Sequence, residues 1–107
     1  EMQLSPSPTA YNNYSAITAS WVPQRGDQVK WGGTPASGGF HQAIIESVSR
    51  STGTDGRTTY SVRISQYNAT GNNEYGTFTT SFVVRNGVIL SLPRFSASSS
   101  GATGYYR

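Results

Sequence analysis

The few residues able to transfer protons do not form a catalytic pair in this sequence. The 107 residues include one His, no Cys and five acidic side chains. His41 and Glu46 fall five positions apart in one predicted strand, and side chains at an odd separation point to opposite faces of a strand. A single imidazole and no thiol also leave too few ligands for the usual His- or Cys-based metal centres. The sequence therefore predicts no catalytic residues, no metal and no cofactor.

Arginine and tyrosine side chains offer a different chemistry, which is recognition. The net charge is +3, and all the basic residues except Lys30 are Arg, which favours planar, bidentate contacts. Arg57 and Arg63 are an even number of positions apart and share a strand face, and Arg50 lies nearby on the predicted partner strand. Such a patch suits phosphate- or sulfate-bearing ligands, and tyrosines at strand ends stack on sugars or bases. The predicted ligand-binding residues are Arg50, Arg57, Arg63, Tyr67 and Tyr75.

The triplet Arg25-Gly26-Asp27 matches the tripeptide that integrin-binding proteins present on exposed loops. It directly precedes a predicted strand, and both Gly and Asp are favoured where a chain turns into a strand. We therefore interpret the triplet as a turn.

Alternating polar and apolar residues predict β-strands in the central part of the chain. In the clearest case, Tyr60, Val62 and Ile64 share one face, and Arg63 points to the other. No window of 11 residues has the helical spacing of apolar side chains, and β-branched and aromatic residues dominate the predicted core. The predicted core residues are distributed over the whole central region: Trp21, Val29, Trp31, Ile44, Val48, Tyr60, Val62, Ile64, Phe78, Phe82, Val84, Ile89 and Leu92.

Glycine-containing turns join these strands into hairpins. Asp55-Gly56 and Asn86-Gly87 suit tight turns, because Gly and Asn tolerate the positive φ that such turns require. The predicted strands that they join are 41–48, 58–66, 75–84 and 88–92. We therefore predict an all-β fold, a small barrel or sandwich of five or six antiparallel strands with extended N- and C-terminal arms.

The two ends of the chain differ in composition from the centre. Residues 1–20, which include two prolines, are predicted to form an extended arm, residues 21–95 the barrel or sandwich domain, and residues 96–107 a polar C-terminal tail. Both ends carry aromatic or cationic side chains suited to docking on a neighbouring chain. The predicted assembly residues are Tyr11, Tyr14, Tyr105, Tyr106 and Arg107.

The central domain begins with the run Gly26-Asp27-Gln28-Val29-Lys30-Trp31, followed by a Gly-rich loop and the predicted strands at 41–48 and 60–63. This order, over residues 26–65, resembles the opening of SH3-like small β-barrels, including Tudor-type and KOW-type modules. The resemblance implies a small-barrel fold and assigns no binding residue.

The composition favours a protein that works by contact. Only 12% of the residues are charged, about half the typical ~25%, while Ser, Thr, Asn and Gly are abundant. Such surfaces are frequent on extracellular, cell-surface and virion proteins, although a cytoplasmic location stays open. No apolar run reaches the roughly 20 residues that span a bilayer. We predict a non-enzymatic structural or assembly module, a homo-oligomer whose terminal arms dock onto neighbouring chains. The alternative is a monomeric binding domain for carbohydrate or nucleic acid that uses Tyr-rich loops and an Arg face.

Overall fold

The computed structural model describes residues 13–32, 41–67, 75–96 and 99–107, and these residues form a single antiparallel sheet. The seven strands are β1 (Ser15–Ala16), β2 (Gln28–Trp31), β3 (His41–Thr52), β4 (Arg57–Tyr67), β5 (Tyr75–Arg85), β6 (Val88–Ser91) and β7 (Gly104–Tyr106). Their order across the sheet is β1-β7-β2-β3-β4-β5-β6. Within the described ranges there is no helix long and apolar enough to cross a membrane.

The predicted all-β fold with antiparallel strands is confirmed, whereas the sheet is open rather than closed into a barrel. The strands β1 and β6 lie at opposite edges of the sheet and do not pair with each other. The sheet has seven strands instead of five or six because β1 and β7 come from the segments that the sequence predicts as terminal arms. An open sheet leaves two edges, and the two edges of this sheet differ in character.

Both predicted hairpin turns are present. Gly56 has φ of 85°, Asn86 of 50° and Gly87 of 78°, which are the left-handed values expected at these positions. At the first turn the Asp55 side chain accepts a hydrogen bond from the backbone N–H of Arg57 at 3.1 Å. The first turn joins the long antiparallel pair of β3 and β4, and the second joins β5 to β6.

The core lies on one face of the sheet, where the apolar residues of alternate positions are buried. Trp31, Val62, Ile64 and Phe82 have no exposed surface. The Trp21 ring packs on Phe82 with 5.2 Å between ring centroids. Aromatic rings of this size bury the largest apolar areas in a small domain and contribute most of its hydrophobic stabilisation.

A β-bulge interrupts the pairing of β3 with β4. Ile45 is paired with Ile64, and the next pair in register is Ser47 with Arg63, so Glu46 is an extra residue in the ladder. The bulge places the Glu46 side chain beside Arg63 on the face that points away from the core. We call this face, which includes Arg63 and Thr77, the outer face.

The bulge also changes which residues of β3 reach the core. Because one residue is added, Ile45 and Val48 both pack in the core although they are three positions apart. The prediction that Ile44 belongs to the core is wrong. Ile44 is half-buried on the outer face, and Ile45, with 1% of its surface exposed, takes its place in the core.

The C-terminal segment forms an interior strand of its own sheet. Tyr105 of β7 is paired with Ser15 on one side and with Val29 on the other. The backbone of Thr103 continues this pairing, since its N–H donates to the carbonyl of Lys30 at 2.9 Å. Where the sequence predicts a polar tail, the structure therefore shows a strand between β1 and β2.

Candidate interaction surfaces

An ion pair between Arg107 and a buried carboxylate fixes the end of β7 to the turn before β2. The carboxylate of Asp27, 1% exposed, accepts hydrogen bonds from Arg107 Nε and Nη2, both at 2.8 Å. Arg107 Nη2 also donates to the carbonyl of Val22 at 3.1 Å. Such a bidentate guanidinium–carboxylate contact is among the strongest hydrogen-bonded pairs in proteins. Hydrogen bonding to Asp27 raises the pKa of Arg107 above its ordinary value, while desolvation acts in the opposite direction.

The same carboxylate also closes the turn that the sequence predicts. Asp27 Oδ2 accepts the backbone N–H of Gln24 at 3.0 Å, and Gly26 has φ of 92°. The Asp27 carboxylate of the Arg25-Gly26-Asp27 triplet is therefore enclosed in a turn rather than presented to a receptor. Sequence reasoning found the turn but missed the partner, because Arg107 is 80 positions away.

Aromatic rings complete the attachment of β7. Tyr105 stacks on Trp21 with 5.3 Å between centroids, and Arg107 lies over the Tyr105 ring at 5.2 Å. We call these residues, Trp21, Asp27, Tyr105 and Arg107, the C-terminal clamp.

On the outer face, a pair of tyrosines covers the junction of β1 and β7. Tyr106 contacts Tyr14 edge to face, with centroids 6.0 Å apart, and the Tyr14 hydroxyl donates to Gln42 at 3.4 Å. The predicted assembly residues Tyr14, Tyr105, Tyr106 and Arg107 are thus gathered at one end of the sheet, within one chain. Tyr11 lies outside the described residues.

A glycine allows β7 to fit between its two neighbours. A Cβ atom on Gly104 would lie 2.9 Å from the carbonyl oxygen of Ser15 and 3.1 Å from Cε of Lys30. Real Cβ contacts with a backbone atom are not that short, so a side chain at this position would displace β1 or β2. The space between β1 and β2, which we call the slot, therefore selects glycine at its first position.

The opposite end of the sheet is exposed and apolar. Among the described strands β6 pairs only with β5, and its sequence, Val-Ile-Leu-Ser, contains no charged residue. Val88 is 58% exposed and Leu90 is 48% exposed, whereas Ile89 packs against the core. We call the unpaired side of β6, with Val88 and Leu90, the β6 edge. Exposed apolar edge strands are sites where a further strand adds to a sheet.

The predicted basic patch is not assembled. Arg50 is paired in register with Tyr60 and lies 6.0 Å from its ring centroid, so it is on the core-side face, opposite to Arg63. Arg57 and Arg63 do share the outer face, but six residues of strand separate them by about 20 Å. A single phosphate does not bridge that distance, and Arg50 shares the core-side face with Val48, which lies two positions earlier in β3.

Each of the two outer-face arginines also has a partner. Arg57 lies 3.7 Å from the Asp55 carboxylate, and Arg63 lies 3.9 Å from Glu46 and donates to Thr77 at 3.0 Å. The predicted ligand-binding tyrosines, Tyr67 and Tyr75, are backbone partners at the far end of the β4–β5 hairpin. They are therefore remote from Arg57, which begins β4.

The lone histidine is part of the packing on the core side. His41 Nε2 is 2.7 Å from Gln66 Oε1, and the imidazole packs against the rings of Phe95 and Trp31, at 4.3 and 5.6 Å between centroids. Burial lowers the pKa of His41 below its ordinary value, although the hydrogen bond to Gln66 acts in the opposite direction. Glu46 lies on the outer face, where it accepts a hydrogen bond from Ser65. His41 and Glu46 are thus on opposite faces, as their spacing predicts.

Comparison of the chain with protein-family models, with curated proteins and with solved structures finds no match.

Proposed function

We propose that this protein is a non-enzymatic assembly module that joins copies of itself by pairing sheet edges. The observation that carries the proposal is the β6 edge, where an open sheet ends on a strand with two exposed apolar side chains. An edge strand presents unpaired N–H and C=O groups, which are ready partners for another strand. Natural proteins protect such an edge with charged residues, proline, bulges or short strands. β6 has no charged residue and no proline, although it is 4 residues long and its register with β5 shifts between Val83 and Val84.

Self-pairing of β6 satisfies both the polar and the apolar groups of this edge. Two copies of β6 placed antiparallel about a two-fold axis extend the sheet continuously from one chain to the next. The unpaired backbone groups gain hydrogen bonds, and Val88 and Leu90 are withdrawn from water. Val88 and Leu90 are 58% and 48% exposed, so their complete burial gains about half of the roughly 1.5–3 kcal/mol for a fully exposed side chain. This gain adds to that of the backbone hydrogen bonds, and together they oppose a cost of association of about 4–15 kcal/mol.

The wider setting of the proposal follows from composition and from the N-terminal segment. A surface with 12% charged residues fits an extracellular, cell-surface or virion subunit that packs closely against its neighbours. The N-terminal arm with Tyr11 remains proposed as a further docking element. The alternative, a monomeric domain that binds carbohydrate or nucleic acid, has less support, because Arg50 faces away from Arg57 and Arg63 and both of these have acidic partners.

The test is sedimentation velocity over a range of protein concentrations. We expect the wild-type chain to associate as its concentration rises, and Leu90→Lys to stay monomeric at the same concentrations. Lysine at this exposed position should leave the free energy of unfolding within about 0.5 kcal/mol of wild type. The matched control is Ser49→Lys, which adds the same charge at an exposed position of the interior strand β3 and should associate like wild type.

Two results would contradict the proposal. The first is a wild-type chain that is strictly monomeric at every concentration up to about 1 mM, where even an interaction of about 4 kcal/mol is detected. The second is association that Leu90→Lys leaves unchanged, since the β6 edge would then take no part in it.

A further inference from the structure

We propose that the C-terminal segment, residues 99–107, is exchanged between copies of this chain, so that in an exchanged pair each segment fills the slot of the other copy instead of its own. The inference deepens the assembly function proposed above and rests on it, but it uses a different surface at the opposite end of the sheet. The partner is a second copy of the same chain.

The slot forms backbone pairs with a strand on both of its sides. β7 pairs on both sides, with β1 through Ser15 and Ala16 and with β2 through Gln28, Val29 and Lys30. Without β7, the paired backbone groups of β1 and β2 lose their partners, and unsatisfied backbone groups are costly when buried. A strand from any source that has the right sequence restores these bonds equally well.

The slot is selective for the sequence of the strand that fills it. Its first position admits only glycine, because a Cβ on Gly104 would meet the Ser15 carbonyl oxygen at 2.9 Å. Tyr105 stacks on Trp21, and Arg107 supplies the two hydrogen bonds to the buried Asp27 carboxylate. A buried carboxylate without a counter-charge is strongly destabilising, so an empty slot favours capture of an arginine-bearing strand. The chain's own C-terminal segment has these features in the required order.

The segment that connects β7 to the rest of the sheet is anchored at both of its ends. Phe95 is fixed to the core by its ring contact with Trp31, at 5.2 Å between centroids, and Ala102 is 1% exposed. The sequence between them is rich in Ser and Gly, a composition typical of flexible linkers.

Hydrogen bonds join the described residues on the two sides of this connection. The N–H of Ala102 donates to the carbonyl of Pro93 at 2.8 Å, and the N–H groups of Phe95 and Ser99 make short-range bonds to Ser99 and Ser96. In an exchanged pair, the contacts of residues 99–107 are formed again in the partner, so the two arrangements differ in the connection. The balance between own and exchanged strands is therefore set by the connection and by protein concentration.

The experiment uses two single-cysteine chains, since the native sequence has no Cys. Gln28 of β2 and Tyr106 of β7 are partners in register. Chains carrying Gln28→Cys and Tyr106→Cys are mixed, passed through mild denaturant and back, and oxidised at several concentrations. Exchange predicts a disulfide between the two different chains, identified by mass spectrometry, with a yield that rises with concentration. The yield should exceed by about ten-fold that of a control mixture of Ser51→Cys and Tyr106→Cys, whose positions are not partners.

A double variant, Gln28→Cys with Tyr106→Cys in one chain, keeps the experiment interpretable. Its internal disulfide, formed at high dilution, verifies that both substitutions leave β7 in the slot. If the double variant closes this disulfide while the mixed chains give no more cross-linking than the control mixture, the exchange proposal is wrong.

The outcomes for the two proposals are independent. Mixed disulfides that form equally well in a Leu90→Lys background support exchange without the β6 edge. Association that Leu90→Lys abolishes, together with no mixed disulfide above control, removes the exchange proposal and leaves edge pairing in place. Mixed disulfides, together with association that Leu90→Lys does not change, would support the exchange proposal and remove edge pairing.

Discussion

The two ends of the sheet differ in how their strands are held. At one end, β7 lies between β1 and β2 and is held by the C-terminal clamp, in which Asp27 is 1% exposed. At the other end, β6 has a single neighbour and exposes Val88 and Leu90. The first end uses charge, stacking and a glycine to fix one particular strand, whereas the second offers unspecific apolar contact. This difference indicates that one end accepts one particular strand, whereas the other is an open edge available for association.

The largest expected effect comes from breaking the clamp. Arg107→Ala should lower the free energy of unfolding by about 2–3 kcal/mol, since the buried Asp27 carboxylate loses two charged hydrogen bonds. The expected loss is smaller than for a fully buried ion pair because the Arg107 side chain is 46% exposed. Urea unfolding measures the change.

The control for Arg107→Ala is Arg57→Ala, which removes the partner of an exposed carboxylate. Arg57 and Asp55 have side chains that are 49% and 45% exposed, and exposed ion pairs add little to stability. Equal losses for the two variants would show that the clamp does not hold β7.

An intermediate effect is expected from filling the slot. Gly104→Ala should lower the free energy of unfolding by about 1–3 kcal/mol, because the added methyl group meets the backbone of β1. Gly76 of β5 is the matched control, since a Cβ there has no atom within 4 Å and the backbone has no positive φ. Gly76→Ala should stay within about 1 kcal/mol of wild type. A Gly104→Ala chain as stable as the Gly76→Ala chain would mean that the slot does not select glycine.

The smallest expected effect is a pH dependence at His41, on the core side where β2 meets β3. Burial lowers the pKa of His41 in the folded chain below its ordinary value of 6.5, so the unfolded chain binds the proton first as the pH falls. Stability from this source is present above pH 6.5 and decreases as the pH falls towards the pKa of the folded state. His41→Phe should flatten the decrease in melting temperature with acid between about pH 6.5 and 5. Identical slopes for wild type and variant would exclude His41 as the cause.

Alternation and turn chemistry were sufficient to predict the central strands. Tyr60, Val62 and Ile64 face the core as their spacing requires, and both turns adopt positive φ at the expected residues. These features depend on neighbours in the sequence, for which a period of two and the conformational freedom of Gly and Asn are reliable guides.

The features that the sequence did not predict depend on distant partners. The bulge at Glu46 is defined only by its register with β4, and it puts Ile44 on the face opposite to Val48, although simple alternation places both on one face. β7 is three residues long, too short for a periodic pattern, and its place in the sheet is decided by contacts with residues about 80 positions earlier. The resemblance of residues 26–65 to SH3-like barrels stays a prediction.

Hydrogen–deuterium exchange at low and high protein concentration tests the contrast between the two ends most directly. We expect those amides of Val88–Ser91 that point away from β5 to exchange rapidly in dilute solution and to become protected as the concentration rises. The amides of β7 should be protected at both concentrations, since the slot is filled whether its strand comes from the same chain or from a second copy. Unchanged rapid exchange in β6 at all concentrations, or rapid exchange in β7, would contradict the account.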